Sequence, residues 1–200
     1  AQGHQDPLLH PPAPGRPDRH RGRGLRLLHA VSRSWWASLR KWKGSWVGRV
    51  AYGDESVRRS GVSESVYFLG TYIADEDQSD LADALSVYVR QGGKLHWRDH
   101  TPRTKRAVCE TISEHNANYL VVAASPIPEG KGEERARQQA LHCLSVMLEG
   151  DFGVDSLILE RRQQTQDEKD KRTIALAQRN KVLTPGFRLT HRFGHEDKRL

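Results

Sequence analysis

Cysteine, methionine and long apolar runs are all scarce in this sequence. The two cysteines, Cys109 and Cys143, fall within apolar helical patterns. We therefore expect reduced core cysteines in a cytoplasmic protein and exclude a disulfide framework. No segment approaches the roughly 18 consecutive apolar residues of a membrane-spanning helix, so none is expected. The chain starts at Ala1 and its one methionine is Met147. These two features predict a fragment, a processed product or a translation that lacks its proper start.

Negative charge is scarce only at the beginning of the chain. Residues 1–48 carry nine Lys/Arg against Asp6 and Asp18, a net charge of +7 that equals the formal charge of all 200 residues. Residues 49–200 contain 23 basic and 23 acidic residues, so that part is neutral. The basic composition therefore describes the leader, and it does not by itself make the rest of the protein a nucleic-acid binder.

The basic leader also lacks any regular apolar period. Residues 1–34 are rich in Pro, Arg, His and Gly, a composition that cannot bury enough apolar area to offset the entropy of ordering. Residues 35–46 interleave four tryptophans with three cations. That pattern could stack on bases, lie at an anionic membrane surface, or belong to a leader with no selected structure. We predict a disordered basic leader at 1–48 and one α/β domain at 49–200.

Strand and helix patterns alternate from Arg49 onward. Strands are predicted at 49–54, 66–73, 94–97, 118–124, 154–160 and 187–193, and helices at 77–90, 101–115, 133–149 and 167–180. Thr101-Pro102 marks a helix start, and Gly150 is predicted to end the longest helix. The continuous apolar run 118–124 predicts a central strand that is covered on both faces. This order indicates an α/β sandwich with a mixed sheet whose first two strands form a hairpin.

Two strands end in carboxylates, and these ends carry the strongest chemical signal. The segment 50–56 runs from an apolar strand into Asp54, Glu55 and Ser56, and the segment 157–160 ends in Glu160, ten residues before Asp170. A carboxylate on a rigid strand end suits a hard divalent metal. The competing interpretation is that acidic and hydroxyl residues merely close the strands. Successive side chains of a strand point to opposite faces, and we assign Asp54 to the site because it shares a face with Tyr52.

Three short motifs resemble a known family. They are Tyr-x-Asp-Glu-Ser at 52–56, Lys-Leu-His-Trp at 94–97, and Leu-Glu-x-Arg at 159–162 followed by Asp170. In this order they are similar to the uncharacterised proteins grouped as domain-of-unknown-function family number 3800, over about residues 49–195. The pattern differs at 57–59, where the family usually has a glycine after its opening motif. Family members also continue into a helix that bears a further Asp, so the resemblance implies that this chain is truncated at its C-terminus.

The resemblance implies a ribonuclease-H-like fold with a carboxylate site for magnesium. Asp54 would bridge two Mg²⁺ ions about 3.5–4 Å apart, while Glu160 and Asp170 would be the other ligands, with His96 close by. Lys94, His96 and Arg98 alternate along a predicted strand, where they either face phosphate or form a solvated edge. Arg162 either clamps phosphate or solvates a turn. The set His96, Asp99 and His100 lacks a cysteine partner and a second histidine pair at helical spacing, so zinc is disfavoured.

Two functional interpretations therefore stay open at the sequence level. The first is a magnesium-dependent nuclease that acts on nucleic-acid phosphodiesters through Asp54, Glu160, Asp170 and His96. The alternative is a non-catalytic binding or interaction module, which the neutral charge of residues 49–200 and the absent C-terminal carboxylate favour. A third interpretation, a membrane-surface protein anchored by the Trp/Lys segment, depends on the leader alone.

Overall fold

A computed structural model describes 48–74, 79–89, 95, 97–115, 118–127, 129–130 and 132–193, together with the backbone of Arg26–Val31. These ranges form an α/β fold around a mixed sheet. Its strands are β1 (Arg26–Val31), β2 (Arg49–Arg58), β3 (Val66–Ala74), β4 (Asn118–Ser125), β5 (Val154–Glu160) and β6 (Arg188–Arg192). The strand order across the sheet is β1-β4-β3-β2-β5-β6.

The connectivity of β2 to β6 is ribonuclease-H-like, as predicted. Strands β2, β3 and β4 are antiparallel neighbours, whereas β5 lies parallel to β2 and β6 lies parallel to β5. Strand β2 is therefore central, and the C-terminal end of β5 lies beside its middle, where Gly53 pairs with Leu159. The parallel neighbours need long crossovers, and helices supply them.

Four α-helices and a short 3₁₀ turn accompany the sheet in the described residues. The helices are α1 (Ser79–Ser86), α2 (Pro102–Glu114), α3 (Gly132–Phe152) and α4 (Gln164–Arg179), and the 3₁₀ turn is Trp97–Asp99. Helix α2 begins as predicted, since the Thr101 hydroxyl accepts the Thr104 N–H at 3.2 Å and a proline occupies the first turn. None of the helices in this part of the chain is both long and apolar enough to cross a membrane.

The main core lies between one face of the sheet and the helices α3 and α4. Helix α3 contributes a fully buried apolar stripe that includes Ala140, Leu144 and Leu148. Ile174 and Ala177 of α4 face inward, as their spacing predicts. We call the sheet surface beneath these helices the helix face, and the opposite surface the tyrosine face.

The structure corrects two expectations about the edge of the sheet. Residues 26–31 were predicted to be disordered with the rest of the leader, but they form β1 and pair antiparallel with β4. The other leader residues up to 47 lie outside the described ranges. Strand β4 is not covered on both faces, because its burial alternates and Val121 is 36% exposed. An edge-proximal strand with one covered face requires only alternate residues to be buried.

Three further local predictions were wrong. The strand predicted at 94–97 is not observed in its described part, since Leu95 is irregular and Trp97 begins the 3₁₀ turn. Cys109 is exposed and Cys143 is only partly buried, so neither is a fully buried core thiol. Helix α3 passes through Gly150 and ends at Phe152. A Cβ at Gly150 would contact nothing within 4 Å, so this glycine sits on an open side of the helix and does not stop it.

Candidate metal and nucleic-acid site

Asp54 and Glu160 lie at neighbouring strand positions on the tyrosine face. The β2–β5 register pairs Gly53 with Leu159, so the next residue of each strand is an acid. Both acids line a cavity of about 90 Å³, which we call the carboxylate cavity. The Asp54 Oδ1 atom accepts the N–H of Glu55 at 2.7 Å, which fixes one oxygen of that carboxylate. The structure thus brings two of the three predicted carboxylates to one place.

Glu55 points to the helix face, where it joins a buried polar cluster. Its carboxylate forms an ion pair with Arg137 of α3 and accepts the Tyr67 hydroxyl at 2.5 Å. Arg137 in turn donates to the Tyr67 hydroxyl oxygen at 2.8 Å. Burial raises the pKa of Tyr67, so this phenol remains a hydrogen-bond donor to the carboxylate. Asp54 and Glu55 therefore point to opposite faces of the sheet, as the alternation of side chains along a strand predicts.

Asp170 of α4 is the centre of the same buried cluster. Its side chain is 0% exposed, and Arg137 Nη2, Arg162 Nη2 and His191 Nε2 contact its Oδ2 at 2.8, 3.1 and 3.1 Å. Burial alone would raise the pKa of Asp170, but the hydrogen bonds from His191 and Arg137 and the two arginine charges outweigh it. They hold that pKa well below its usual range. Asp170 is thus a fully paired carboxylate.

Asp167 completes the cluster one turn before Asp170. Its Oδ1 accepts the Arg162 N–H at 3.1 Å and lies 3.7 Å from His191 Nε2. One ligand atom from each of Asp167, Asp170 and His191 lies within 4.8 Å of the others, so these three residues could hold a metal ion. Carboxylate and imidazole are suitable donors for several divalent metals. However, Arg137 and Arg162 already satisfy Asp170, and their charges oppose a cation there.

The carboxylate cavity is lined by three acids, Asp54, Glu55 and Glu160, and by the cations Arg137, Arg161 and Arg162, so it shares Glu55, Arg137 and Arg162 with the buried cluster. The strand predicted to end at Asp54 continues to Arg58, so Asp54 lies in the middle of β2, whereas Glu160 is the last residue of β5. Both are oxygen ligands, the type that Mg²⁺ prefers, and the remaining positions are commonly held by water and phosphate. The third predicted ligand, Asp170, is not in the lining of this cavity. Instead it contacts Arg162, which does line it, together with Arg161. Asp170 is therefore connected to this cavity through Arg162.

Of the basic residues predicted to contact phosphate, only one lies at the carboxylate cavity in the described part of the chain. Lys94 and His96 lie outside the described residues. Arg98 lies exposed in the 3₁₀ turn, and so is not on the strand that was predicted to present it. Arg162 is the one that joins the carboxylate cavity, and its side chain is 16% exposed because it also reaches Asp170.

Sequence reasoning missed Arg137, Tyr67, Asp167 and His191 as members of a site. One signal was available for Arg137, since a cation falls beside Ala136 and Ala140 on the apolar stripe of α3. A charge on such a stripe requires a buried partner. His191 was predicted to alternate with Leu189, and the structure confirms that both point inward. The missing information was which acid from α4 would meet it.

No protein-family model and no curated protein matches this chain. The resemblance to family 3800 accordingly stays a prediction, and the functional argument depends on the geometry of the described residues.

Proposed function

We propose that this protein is a magnesium-dependent nuclease-like enzyme that acts on nucleic-acid phosphodiesters. The observation that carries the proposal is the pair of acids, Asp54 and Glu160, which directly follow the paired residues Gly53 and Leu159 of two parallel central strands and line one cavity. Rigid strands hold carboxylates at fixed positions, as a catalytic metal site requires. The ribonuclease-H-like connectivity places this pair at the centre of the sheet.

The residues around the cavity suit a phosphodiester substrate. Asp54 and Glu160 would hold the cation, which when bound supplies an activated water and charge stabilisation at the phosphate. Arg161 and Arg162 line the same cavity, so their guanidinium groups would orient the phosphate oxygens beside the acids. Arg162 is held by Asp170 and by Glu134, at 3.1 and 3.7 Å, so its position is fixed before a substrate arrives.

Thermal melting with and without MgCl₂ tests the metal site directly. Binding to the native state alone adds RT ln(1 + [L]/Kd), about 2.7 kcal/mol at a hundredfold excess over Kd. We expect MgCl₂ to raise the Tm of the parent and of Asp155→Asn, an exposed acid at the other end of β5. Asp54→Asn and Glu160→Gln should lose that rise. The same four proteins should then be assayed for cleavage of a labelled oligonucleotide.

The outcomes separate the possible sites. An unchanged parent Tm at saturating Mg²⁺, together with no cleavage, would contradict the proposal. A shift that survives Asp54→Asn but disappears in His191→Gln would assign the metal to Asp167, Asp170 and His191. A shift that depends on Asp54 without any cleavage would support metal binding and reject catalysis.

A non-catalytic module is the second candidate, and the state of Asp170 favours it. This carboxylate is fully buried and contacts two arginines and a histidine. An acid with these partners stabilises the packing of α3, α4 and β6 and is not available as a third metal ligand. Binding of nucleic acid without Mg²⁺-dependent cleavage is the result that this candidate predicts.

A further inference from the structure

Three tyrosines form a continuous row across the middle of the tyrosine face. The register pairs Tyr52 of β2 with Tyr72 of β3, and Tyr72 with Tyr119 of β4. Directly opposed residues of antiparallel strands have adjacent side chains. The rings of Tyr72 and Tyr119 are 5.7 Å apart between centroids, at an interplanar angle of 42°. Tyr52 is buried, whereas the other two rings are only partly buried.

The row forms one wall of a cavity of about 320 Å³, which we call the tyrosine cavity. This volume is at the lower end of the range for small-molecule pockets, about 300–1,000 Å³. Gly70 and Val121 lie in the next row of the sheet, and the missing side chain at Gly70 leaves the space beside the rings. The Tyr119 hydroxyl is buried and has no hydrogen-bond partner among the described residues. A buried hydroxyl of this kind is normally satisfied, so its lack of a partner is unusual.

The tyrosine cavity adjoins the carboxylate cavity. Gly53 and Asp54 line both of them. Asp54 pairs with Gly70, one row away from the tyrosines. On the next strand Glu160 follows Leu159, the partner of Gly53, and pairs with Arg192, an exposed cation of β6. The tyrosine face therefore presents, from one side to the other, aromatic rings, two acids and a guanidinium.

We propose that the tyrosine cavity binds an unpaired base of a single-stranded nucleic acid by stacking. Every base has a flat π-face, and aromatic side chains stack on it without requiring a particular sequence. A base in a duplex is already stacked and paired, so only an unpaired base can enter. A strand held this way would place a neighbouring phosphate near Asp54, which deepens the function proposed above and rests on it. The stacking itself requires no metal.

An apolar peptide would fit this surface less well. The acids and the guanidinium in the next row of the tyrosine face match a phosphate chain with a bound cation better than they match apolar side chains. Burial raises the pKa of Tyr119, so its hydroxyl stays protonated.

Fluorescence anisotropy of a fluorescein-labelled single-stranded oligodeoxyadenylate, measured in EDTA, tests the inference with the full chain. We expect the parent to bind the single strand more tightly than a hairpin duplex of similar length. Tyr119→Leu keeps apolar volume but removes the ring, and should weaken binding by about 5- to 100-fold, the range for loss of one stacked base. Tyr119→Phe keeps the ring and should weaken it by less than about fivefold.

Filling the cavity gives a second, independent test. Gly70→Leu should weaken binding at least as much as Tyr119→Leu, whereas Tyr88→Leu, outside the cavity, should not. Melting curves of every variant confirm folding before binding is compared. Equal binding by the parent, Tyr119→Leu and Gly70→Leu would overturn the inference and assign the affinity to the basic leader. Tighter binding of the parent to the hairpin duplex than to the single strand would also overturn the inference. The binding assay contains no Mg²⁺, so its result is independent of the metal test. The stacking inference can be correct when the metal proposal is wrong, and the metal proposal can be correct when the stacking inference is wrong.

Discussion

Asp170 illustrates how one buried residue connects three elements. Its two oxygens accept hydrogen bonds from Arg137 of α3, from Arg162 after β5 and from His191 of β6. Removing one partner of a buried ion pair leaves the other charge uncompensated, which costs about 3–5 kcal/mol. We therefore expect Asp170→Asn to lower the free energy of unfolding by about that amount in urea melts.

Glu168 provides the matched control for this prediction. It is on the same helix and its side chain is 48% exposed. Its carboxylate contacts neighbours one turn away on that helix, Arg172 by an ion pair and Gln164 as a hydrogen-bond donor. Glu168→Gln should change the free energy of unfolding by no more than about 0.5 kcal/mol. Similar losses in both variants would mean that the buried pairing contributes little and that Asp170 is retained for another reason.

Strand parity made part of the site predictable at the residue scale. Because side chains alternate along a strand, the sequence alone assigns Asp54 and Tyr52 to one face and Glu55 to the other, and the structure agrees. Parity could not show what each face would meet. Arg137 lies 82 residues after Glu55 and 33 residues before Asp170, so the three meet only because α3 and α4 both cover the helix face. Such long-range pairings depend on topology and leave no local pattern.

At the scale of the strands, Gly53 and Gly70 are neighbouring glycines with opposite roles. A Cβ on Gly53 would lie 2.7 Å from Leu159 Cδ2, 3.0 Å from Thr71 Cγ2 and 3.2 Å from the Gly70 carbonyl oxygen. A Cβ on Gly70 would meet only Val121 Cγ2, at an ordinary 3.7 Å. We expect Gly53→Ala to destabilise the protein by about 1–3 kcal/mol through overpacking between β2, β3 and β5.

Gly70→Ala is the control, since it adds the same methyl group to the adjacent strand. It should leave the stability unchanged or raise it by up to about 1 kcal/mol, because it restricts the unfolded chain without a clash. Chemical denaturation measures the free energy of unfolding of both variants and so tests this difference. Equal stability of the two would show that Leu159 moves aside at little cost.

The elements themselves were largely predictable, and the failures have physical causes. Strands β2, β3, β5 and β6 and helices α2, α3 and α4 were predicted from periodicity and capping, because each buries one regular face. The apolar run of β4 was misread as a fully covered strand, since periodicity cannot reveal what packs on the second face. The segment around Trp97 alternates like a strand, yet Trp97 is 50% exposed and begins a 3₁₀ turn. Alternation alone does not produce a strand, because a strand also requires a partner strand for its backbone hydrogen bonds.

For the whole molecule, the buried cluster predicts limits of stability at both ends of the pH scale. The pKa of Asp170 is lower in the folded state than its ordinary value of about 3.9. Its contribution is therefore complete above about pH 4 and is lost as the pH falls below that value. The pKa of Tyr67 is raised by burial above its ordinary value of about 10. Its contribution is complete below about pH 10 and is lost as the pH rises further, because only the unfolded chain then releases the proton.

Urea unfolding across this pH range, in EDTA, measures both limits. Above pH 10 each tyrosine with a raised pKa should contribute a slope of up to about 1.4 kcal/mol per pH unit to the decline. Tyr119 also has a pKa raised by burial, so Tyr67→Phe should reduce the slope and Tyr67→Phe with Tyr119→Phe should reduce it further. Tyr67→Phe also removes the hydrogen bond to Glu55, so its stability at neutral pH should be lower from the start. An alkaline slope that is identical in the parent and the double variant would show that neither phenol controls this limit.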